Sequence, residues 1–394
     1  MQQAATYDYI ICGGGMAGLS LVWHLNQQPE LGNKKILIIE PEKKNQNDRT
    51  WAFWEKGNGY FEEIVYRKWE KFRFTSRDNQ ASVFPFGGYT YKVIRGIDFY
   101  RLIDKIISDS PNIDRLADKV IQISDVADGV HVKTASGKEF HGKWAFDSFT
   151  RPSLDNPAYN NLWQHFLGYI IETEYSAFDP TLPDLMNFSV EQVNDECRFI
   201  YILPFEKNKA LIEYTVFSDN LLQKADYKPP LESYINELLQ GNRYTITEEE
   251  YGIIPMSDAP FEQHPGGRVL RIGTAGGYTH AATGYTFLKT QERLSTLAEV
   301  LAKNGNAEDF LKKTRPAARH TFYPSVLLGV LLKKRHPAAD VFRRFYGDKK
   351  VEQAFKFLDG KTNLFEEIQI FARMPINPFL RSAIAELKKK LRLA

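Results

Sequence analysis

Cysteine is nearly absent from this chain: Cys12 and Cys197 are the two in 394 residues. Cys12 ends the first expected strand, where a small apolar side chain suits, and both thiols read as reduced and structural rather than as a disulfide framework. Long apolar runs are missing too. None approaches the roughly 18 residues of a membrane-spanning helix, and Met1–Thr6 is too short to be a signal peptide ahead of Tyr7. A cytoplasmic protein is therefore expected, either soluble or peripheral on a membrane. Charge of one sign is lacking as well. With 51 basic against 49 acidic residues, nothing global points to nucleic acid. There is no internal repeat and no low-complexity tract, and no metal site is expected. The length suffices for two or three subdomains and a large core. The aromatics are plentiful, 27 Phe, 20 Tyr and 6 Trp. Most of them belong in a core, and part of them is expected to line an apolar cavity.

The most informative segment is Tyr7-Asp-Tyr-Ile-Ile-Cys-Gly-Gly-Gly-Met-Ala-Gly18, closed by Ile36-Leu-Ile-Ile-Glu40. It reads strand, glycine turn, helix, strand, acid, the order that a dinucleotide site requires. Gly13 allows the tight turn, Gly15 lets the backbone approach a pyrophosphate, and Gly18 lets the helix lie close to the sheet, with Gly14 and Ala17 also expected at the cofactor. The helix starting near Met16 aims its first amides at phosphate. Glu40 stands where a carboxylate binds a ribose 2′-hydroxyl, and its charge argues against a 2′-phosphate there. The position at the start of a long chain, without a second copy, favours FAD over NAD by analogy of architecture, although the motif alone leaves both open.

Further along, Tyr91-Lys-Val-Ile-Arg95 reads as a strand and Phe99–Ile107 as a helix. Val120 to Ala145 alternates as strand, turn, strand, and Met186 to Thr215 reads as two strands around Asp195-Glu196. Glu232–Leu239 is a short helix. Val269-Leu-Arg-Ile-Gly-Thr-Ala-Gly-Gly277 suggests a return to the nucleotide unit, and the last hundred residues read as mostly helical. The expected fold class is α/β: a doubly wound, Rossmann-type FAD-binding domain, an interleaved β-rich substrate domain and C-terminal helices. The boundaries are 1–45, 95–150 and 265–300 for the first, 46–94 and 151–264 for the second, and 301–394 for the helices.

Three downstream segments carry an identification: Asn47-Asp-Arg-Thr-Trp-Ala-Phe-Trp54, Phe199-Ile-Tyr-Ile-Leu-Pro-Phe205 leading into Leu211-Ile-Glu-Tyr-Thr215, and Ile272-Gly-Thr-Ala-Gly-Gly-Tyr-Thr-His-Ala-Ala-Thr-Gly-Tyr-Thr-Phe287. Together with the N-terminal glycines, and in the same order and similar spacing from Tyr7 to about Phe379, they closely resemble the flavin-dependent lycopene cyclases of bacterial carotenoid pathways. The resemblance implies a lycopene β-cyclase: an intramolecular lyase or isomerase that protonates an acyclic end group and closes a β ring with no net redox change. It implies FAD in reduced form, with NAD(P)H or an electron-transfer partner as reductant. One departure is His280, at a position expected to be basic, which puts the charge there in doubt.

Read as residues, Glu213 interrupts the apolar strand Ala210–Val216 and shares a face with Leu211 and Thr215, which favours a solvent-facing glutamate. The resemblance reverses that reading, because the motif matches the one holding the family's essential glutamate, and implies a buried proton donor. Trp51, Phe53, Trp54 and Tyr285 are candidates to face the polyene or its cation, with ordinary core packing the alternative for each ring. Arg49 is expected at the FAD pyrophosphate, or else in a surface pair. Gly273, Gly276 and Gly277 are expected by the flavin phosphate and ribityl chain and Gly284 at a helix start near the ring, although Thr274 replaces the acid common in related flavoproteins.

The implied substrate, lycopene or a related acyclic carotenoid, has to be drawn from a bilayer, so peripheral association with the inner face of the cell membrane is expected. Phe322–Leu332 followed by Lys333-Lys-Arg335, and the basic Ala385–Arg392, are the candidate contacts. Rivals are a flavin monooxygenase or prenyl-chain reductase, which share the N-terminal motif, and a carotenoid- or FAD-binding protein without turnover.

Overall fold

The computed structural model describes residues 6–347 and 351–393. Residues 1–5, on which the expectation of no leader rests, lie outside the described residues. β1 (Thr6–Cys12), α1 (Met16–Asn26) and β2 (Ile36–Ile39) form the opening unit. Successive strand side chains point to opposite faces. Tyr9, Ile11, Ile36 and Ile38 therefore pack with Leu21, Val22 and Leu25 of α1, while Ile10, Cys12, Leu37 and Ile39 form a second core on the other side. Strands apolar on both faces are what a covered parallel pair requires.

Next come β3 (Thr50–Glu55), β4 (Arg67–Trp69), β5 (Lys71–Thr75), β6 (Ala81–Pro85) and β7 (Thr90–Arg95). β3, β7 and β4 make a small antiparallel sheet, whereas β5 and β6 leave for a larger one. α2 (Gly96–Asp109) and β8 (Ile113–Leu116) bring the chain back beside β2. The 120–145 stretch, expected as two strands, holds three: β9 (Val120–Val126), β10 (Gly129–Thr134) and β11 (Glu139–Asp147), because it turns twice. β11 then runs parallel to β1.

β12 (Asn161–Thr173), β13 (Asp184–Asn187), β14 (Cys197–Glu206), β15 (Lys209–Ser218), α3 (Lys228–Leu238) and β16 (Tyr244–Ser257) follow. The expected pair of strands between Met186 and Thr215 is also three, since Lys207-Asn208 makes a second hairpin turn. The large sheet runs β16-β12-β15-β14-β13-β5-β6. One face carries Leu167, Ile200, Ile212 and Tyr214 against Leu231 and Ile235 of α3. The opposite face carries Leu211 and Phe217 into the largest aromatic core.

β17 (Val269–Arg271) rejoins the first sheet parallel to β11. α4 (Phe287–Ala302) then lays Leu294, Leu297 and Ala298 on the α1 side. On the other face Val120, Val130 and Val132 of the β-meander replace helices. The unit is Rossmann-type as expected, but its helices cover one face only. α5 (Ala307–Thr314), α6 (Ala318–Leu332), α7 (Ala338–Tyr346), α8 (Val351–Leu358), α9 (Leu364–Phe371) and α10 (Ile376–Leu393) complete the chain. Phe342 and Tyr346 of α7 and Phe355 of α8 close the aromatic core beneath the large sheet. Among the described residues no helix is long and apolar enough to cross a membrane.

Candidate active site

The glycine turn after β1 takes the form its residues suggest. Gly13 has φ +104°, a backbone that side chains rarely adopt, and a Cβ there would meet Ser148 Oγ at 2.5 Å. A Cβ on Gly18 would drive into the Gly13 carbonyl oxygen, so α1 lies directly against the turn. Gly15 is the N-cap of α1 and offers no side-chain cap. Nothing stands within 4 Å of where its Cβ would be, so the helix's first amides open on free space, as an anion-binding helix end requires. The Gly14 amide donates to Glu40 Oε2 at 2.6 Å, and Glu40 Oε1 accepts from the Glu42 amide at 3.0 Å. Gly273 (φ +62°) presses on α1, for a Cβ there would lie 2.5 Å from Ala17 Cβ. Gly276 and Gly277 complete this second turn, with Gly276 and Tyr278 amides donating to the Gly273 carbonyl at 3.1 and 2.9 Å. An acid at the strand end, an uncapped helix start and a second glycine turn against it fit a dinucleotide.

Arg49 is exposed just ahead of β3. Its Nη1 donates to the Asp48 and Tyr251 carbonyls at 2.9 and 3.0 Å, fastening the start of β3 to β16.

Glu213 lies in β15 with Gly168 of β12 opposite it on one side and Tyr201 of β14 on the other. Its shared face with Leu211 and Thr215 points inward, and it is 8% exposed. These residues line a cavity of about 180 Å³ with Trp51, Tyr91, Gln164, Phe199, Tyr285 and others. Burial, and then the neighbouring Glu250 carboxylate, push the Glu213 pKa well above the ordinary carboxyl range. Glu250 sits opposite the same Gly168 from β16. Two strand spacings put the two glutamate Cα atoms about 10 Å apart, and the Glu213 side chain lies over the glycine in the room a Cβ would take. Burial lifts Glu250 to about 7, against the pull of the Thr50 amide and of Arg49; that amide donates to its Oε1 at 3.2 Å.

Three phenols meet at the cavity wall. Tyr91 Oη is 2.7 Å from Tyr201 Oη and 2.8 Å from Tyr285 Oη. Burial holds all three far above the usual phenol range, so they remain neutral. Gln164 Oε1 is buried without a hydrogen-bond partner, beside Gly284, where a Cβ would collide with it. Gly284 takes φ +72° and precedes the start of α4 at Phe287.

The aromatic candidates divide between this cavity and a larger one of about 610 Å³. Trp51 lines the smaller cavity, Phe53 and Trp54 the larger, and Tyr285 and Leu358 both. Phe53 stacks on Phe287 with centroids 4.7 Å apart. Trp54 donates from Nε1 to Asp359 Oδ1 at 2.8 Å and stands edge-on to Tyr285 at 4.4 Å. His280 lines the larger cavity, with Nδ1 2.8 Å from Thr283 Oγ1. Burial, then Lys289, lower its pKa to about 4, so the ring is uncharged at neutral pH.

The sequence reading missed Glu250, Gly168 and Gln164. Glu250 ends a run of three glutamates that looks solvated, and in fact Glu249 does pair with Lys224 at 2.6 Å. Only the inward side of β16 distinguishes its neighbour.

Solved structures similar in fold include a geranylgeranyl bacteriochlorophyll reductase-like protein from Thermoplasma acidophilum (TM-score 0.61, 13% identity, 98% of this chain and 99% of that one). Another is a p-nitrophenol 4-monooxygenase from Pseudomonas putida (TM-score 0.59, 15% identity, 98% of each). Among curated proteins the chain is 26% identical to a lycopene beta-cyclase of Pantoea ananas, over 95% of this chain and 96% of that one. It is 24% identical to a chloroplastic neoxanthin synthase of Solanum tuberosum over 76% of this chain, and the match spans 61% of that relative's length. The family described as lycopene cyclase protein matches residues 8–384, from the first strand to the last helix, and the chain belongs to that family.

Proposed function

We propose that this protein is an FAD-dependent lycopene β-cyclase acting on lycopene or a related acyclic carotenoid, with Glu213 as proton donor. The observation that carries the reading is a buried carboxyl, its pKa raised by that burial, in the wall of an aromatic cavity on a chain of this family. An alkene is a very poor base, so its protonation needs an acid held close in a dry site. Glu213 gives its proton to the terminal double bond, the next alkene closes the ring on the cation, and a ring proton returns to the Glu213 carboxylate, so that atoms balance without electron transfer. The faces of Trp51, Phe199 and Phe217 and the free Gln164 carbonyl offer negative charge density to the cation. The neutral tyrosine trio fixes the wall without supplying an anion that would trap it.

FAD would be held by the Gly13–Gly18 turn, Glu40 and the Gly273–Gly277 turn, with Gly284 near the ring. Kept reduced by NAD(P)H, it would supply electron density that favours the cation. Trp54, Phe53 and Tyr285 are assigned to the polyene. Chromatography of pigments from lycopene-accumulating cells expressing the chain tests the reading. A bicyclic β product is expected, and unchanged lycopene with folded, flavin-containing protein would refute it.

The pH profile follows from the carboxyl pair. Glu213 is active while protonated, and its raised pKa keeps it so through neutrality. The rate is therefore expected to hold at neutral pH and to fall as pH rises through the folded-state value. Glu250→Gln keeps an acceptor for the Thr50 amide and removes the like charge, which lowers the Glu213 pKa. The alkaline limb should then move to lower pH. A limb left in place by Glu250→Gln would show that the two carboxyls are not coupled.

A further inference from the structure

We propose that the exposed apolar face of α9 and α10 docks on an anionic phospholipid bilayer and that the larger cavity leads from it toward Glu213. More than half of the large apolar side chains exposed among the described residues lie on these two consecutive helices. On α9 they are Leu364, Phe365 (69% exposed), Ile368 and Phe371. On α10, Ile376, Leu380, Ile384, Leu387 and Leu391 (81% exposed) recur at three- and four-residue steps and so form one stripe. The expected contact at Phe322–Leu332 is different. Val326, Leu328, Val330 and Leu331 of α6 are buried, so the run before Lys333-Lys-Arg335 is a core segment.

Charge selects the occupant. At 100° per residue, Arg381, Lys388 and Arg392 fall along one edge of the α10 stripe, and Lys390 lies over the Phe322 ring beyond the other. The acids of the two helices are already paired: Glu366 with Lys356, Glu367 with Arg319, and Glu386 with Lys389. An apolar stripe with a cationic border and no free acid suits an anionic lipid surface. A second copy of the chain would set like charges against each other.

The face is also continuous with the site. Phe371 packs edge-on against Tyr323 at 4.9 Å, and Tyr323 and Phe357 line the larger cavity. That cavity shares Tyr285 and Leu358 with the Glu213 cavity. The route rests on the cyclase reading, whereas the docking does not.

Flotation with phosphatidylcholine vesicles containing phosphatidylglycerol, beside phosphatidylcholine alone, tests the docking. The full chain is expected to float with the anionic vesicles. The combined change Phe365→Ser, Leu380→Ser and Leu391→Ser should lower the partition about tenfold or more, with an unchanged melting temperature. Because combined changes could impair folding, Leu391→Ser alone and Lys388→Glu with Arg392→Glu serve as second variants, the latter expected to abolish the preference for anionic lipid. Wild-type protein that stays with the soluble fraction, folded variants that float equally, or a dimer broken by the triple change would each overturn the proposal. Flotation needs no turnover. A chain that floats without cyclising refutes the cyclase reading alone, and one that cyclises without floating refutes the docking alone.

Discussion

Glu213→Gln is expected to lower ring formation by about three orders of magnitude while flavin content and melting temperature stay near wild type. The two side chains have the same shape, and a buried protonated carboxyl is as neutral as an amide, so the packing around β15 has little reason to change. What is lost is an acidic proton. General acid catalysis by a positioned side chain contributes roughly 10²–10⁴ in rate, and a substrate as weakly basic as an alkene leaves water no useful substitute. Single-turnover pigment analysis on purified variant, with flavin quantified in the same sample, provides the measurement. Turnover within tenfold of wild type would transfer the proton-donor role elsewhere in the cavity.

The second large effect is expected at a residue with no side chain. Gly168 lies in β12 between β15 and β16, paired with Glu213 on one side and Glu250 on the other. A methyl group there would stand 2.6 Å from Glu213 Cγ and 3.2 Å from Leu211 Cδ1. The strand is hydrogen-bonded on both edges and cannot move away, so the glutamate must swing. Overpacking of this kind typically destabilises by about 1–3 kcal/mol, and a misplacement near 1 Å can lower a rate about 100-fold. Gly168→Ala should therefore fold, with a lower melting temperature, and lose about 100-fold in turnover. Full activity in a folded Gly168→Ala protein would mean that Glu213 needs no such space.

Much of this protein is written locally. The Gly13, Gly15 and Gly18 spacing specifies a turn, a bare helix end and a close helix–strand contact, because each depends on φ or on a missing Cβ within a few residues. The order β1, α1, β2, Glu40 follows from alternation and helical spacing in the same way. Segment motifs likewise gave the family, and the match from residue 8 to 384 bears it out. Strand counts were less legible: the turn at 127–128 is marked only by Asp128 ahead of Gly129, and that at 207–208 only by Asn208, signals short enough to pass as parts of the flanking strands.

The tertiary structure decided which faces are covered. Leu211, Glu213 and Thr215 share a face under any strand assignment, but whether that face meets water depends on α7, α8 and the 283–287 loop, at least 68 residues further on in the chain. The same holds for Glu250 within its acidic run, for Arg49 drawn to the Tyr251 carbonyl, and for the two helical segments near the C-terminus. The more apolar of those, α6, went inside because it packs against β12 and α10; the more charged, α10, kept an apolar stripe exposed. Periodicity along a chain fixes which side chains point together. Burial, and with it the protonation of a carboxyl, is set by contacts between segments that the local pattern does not encode.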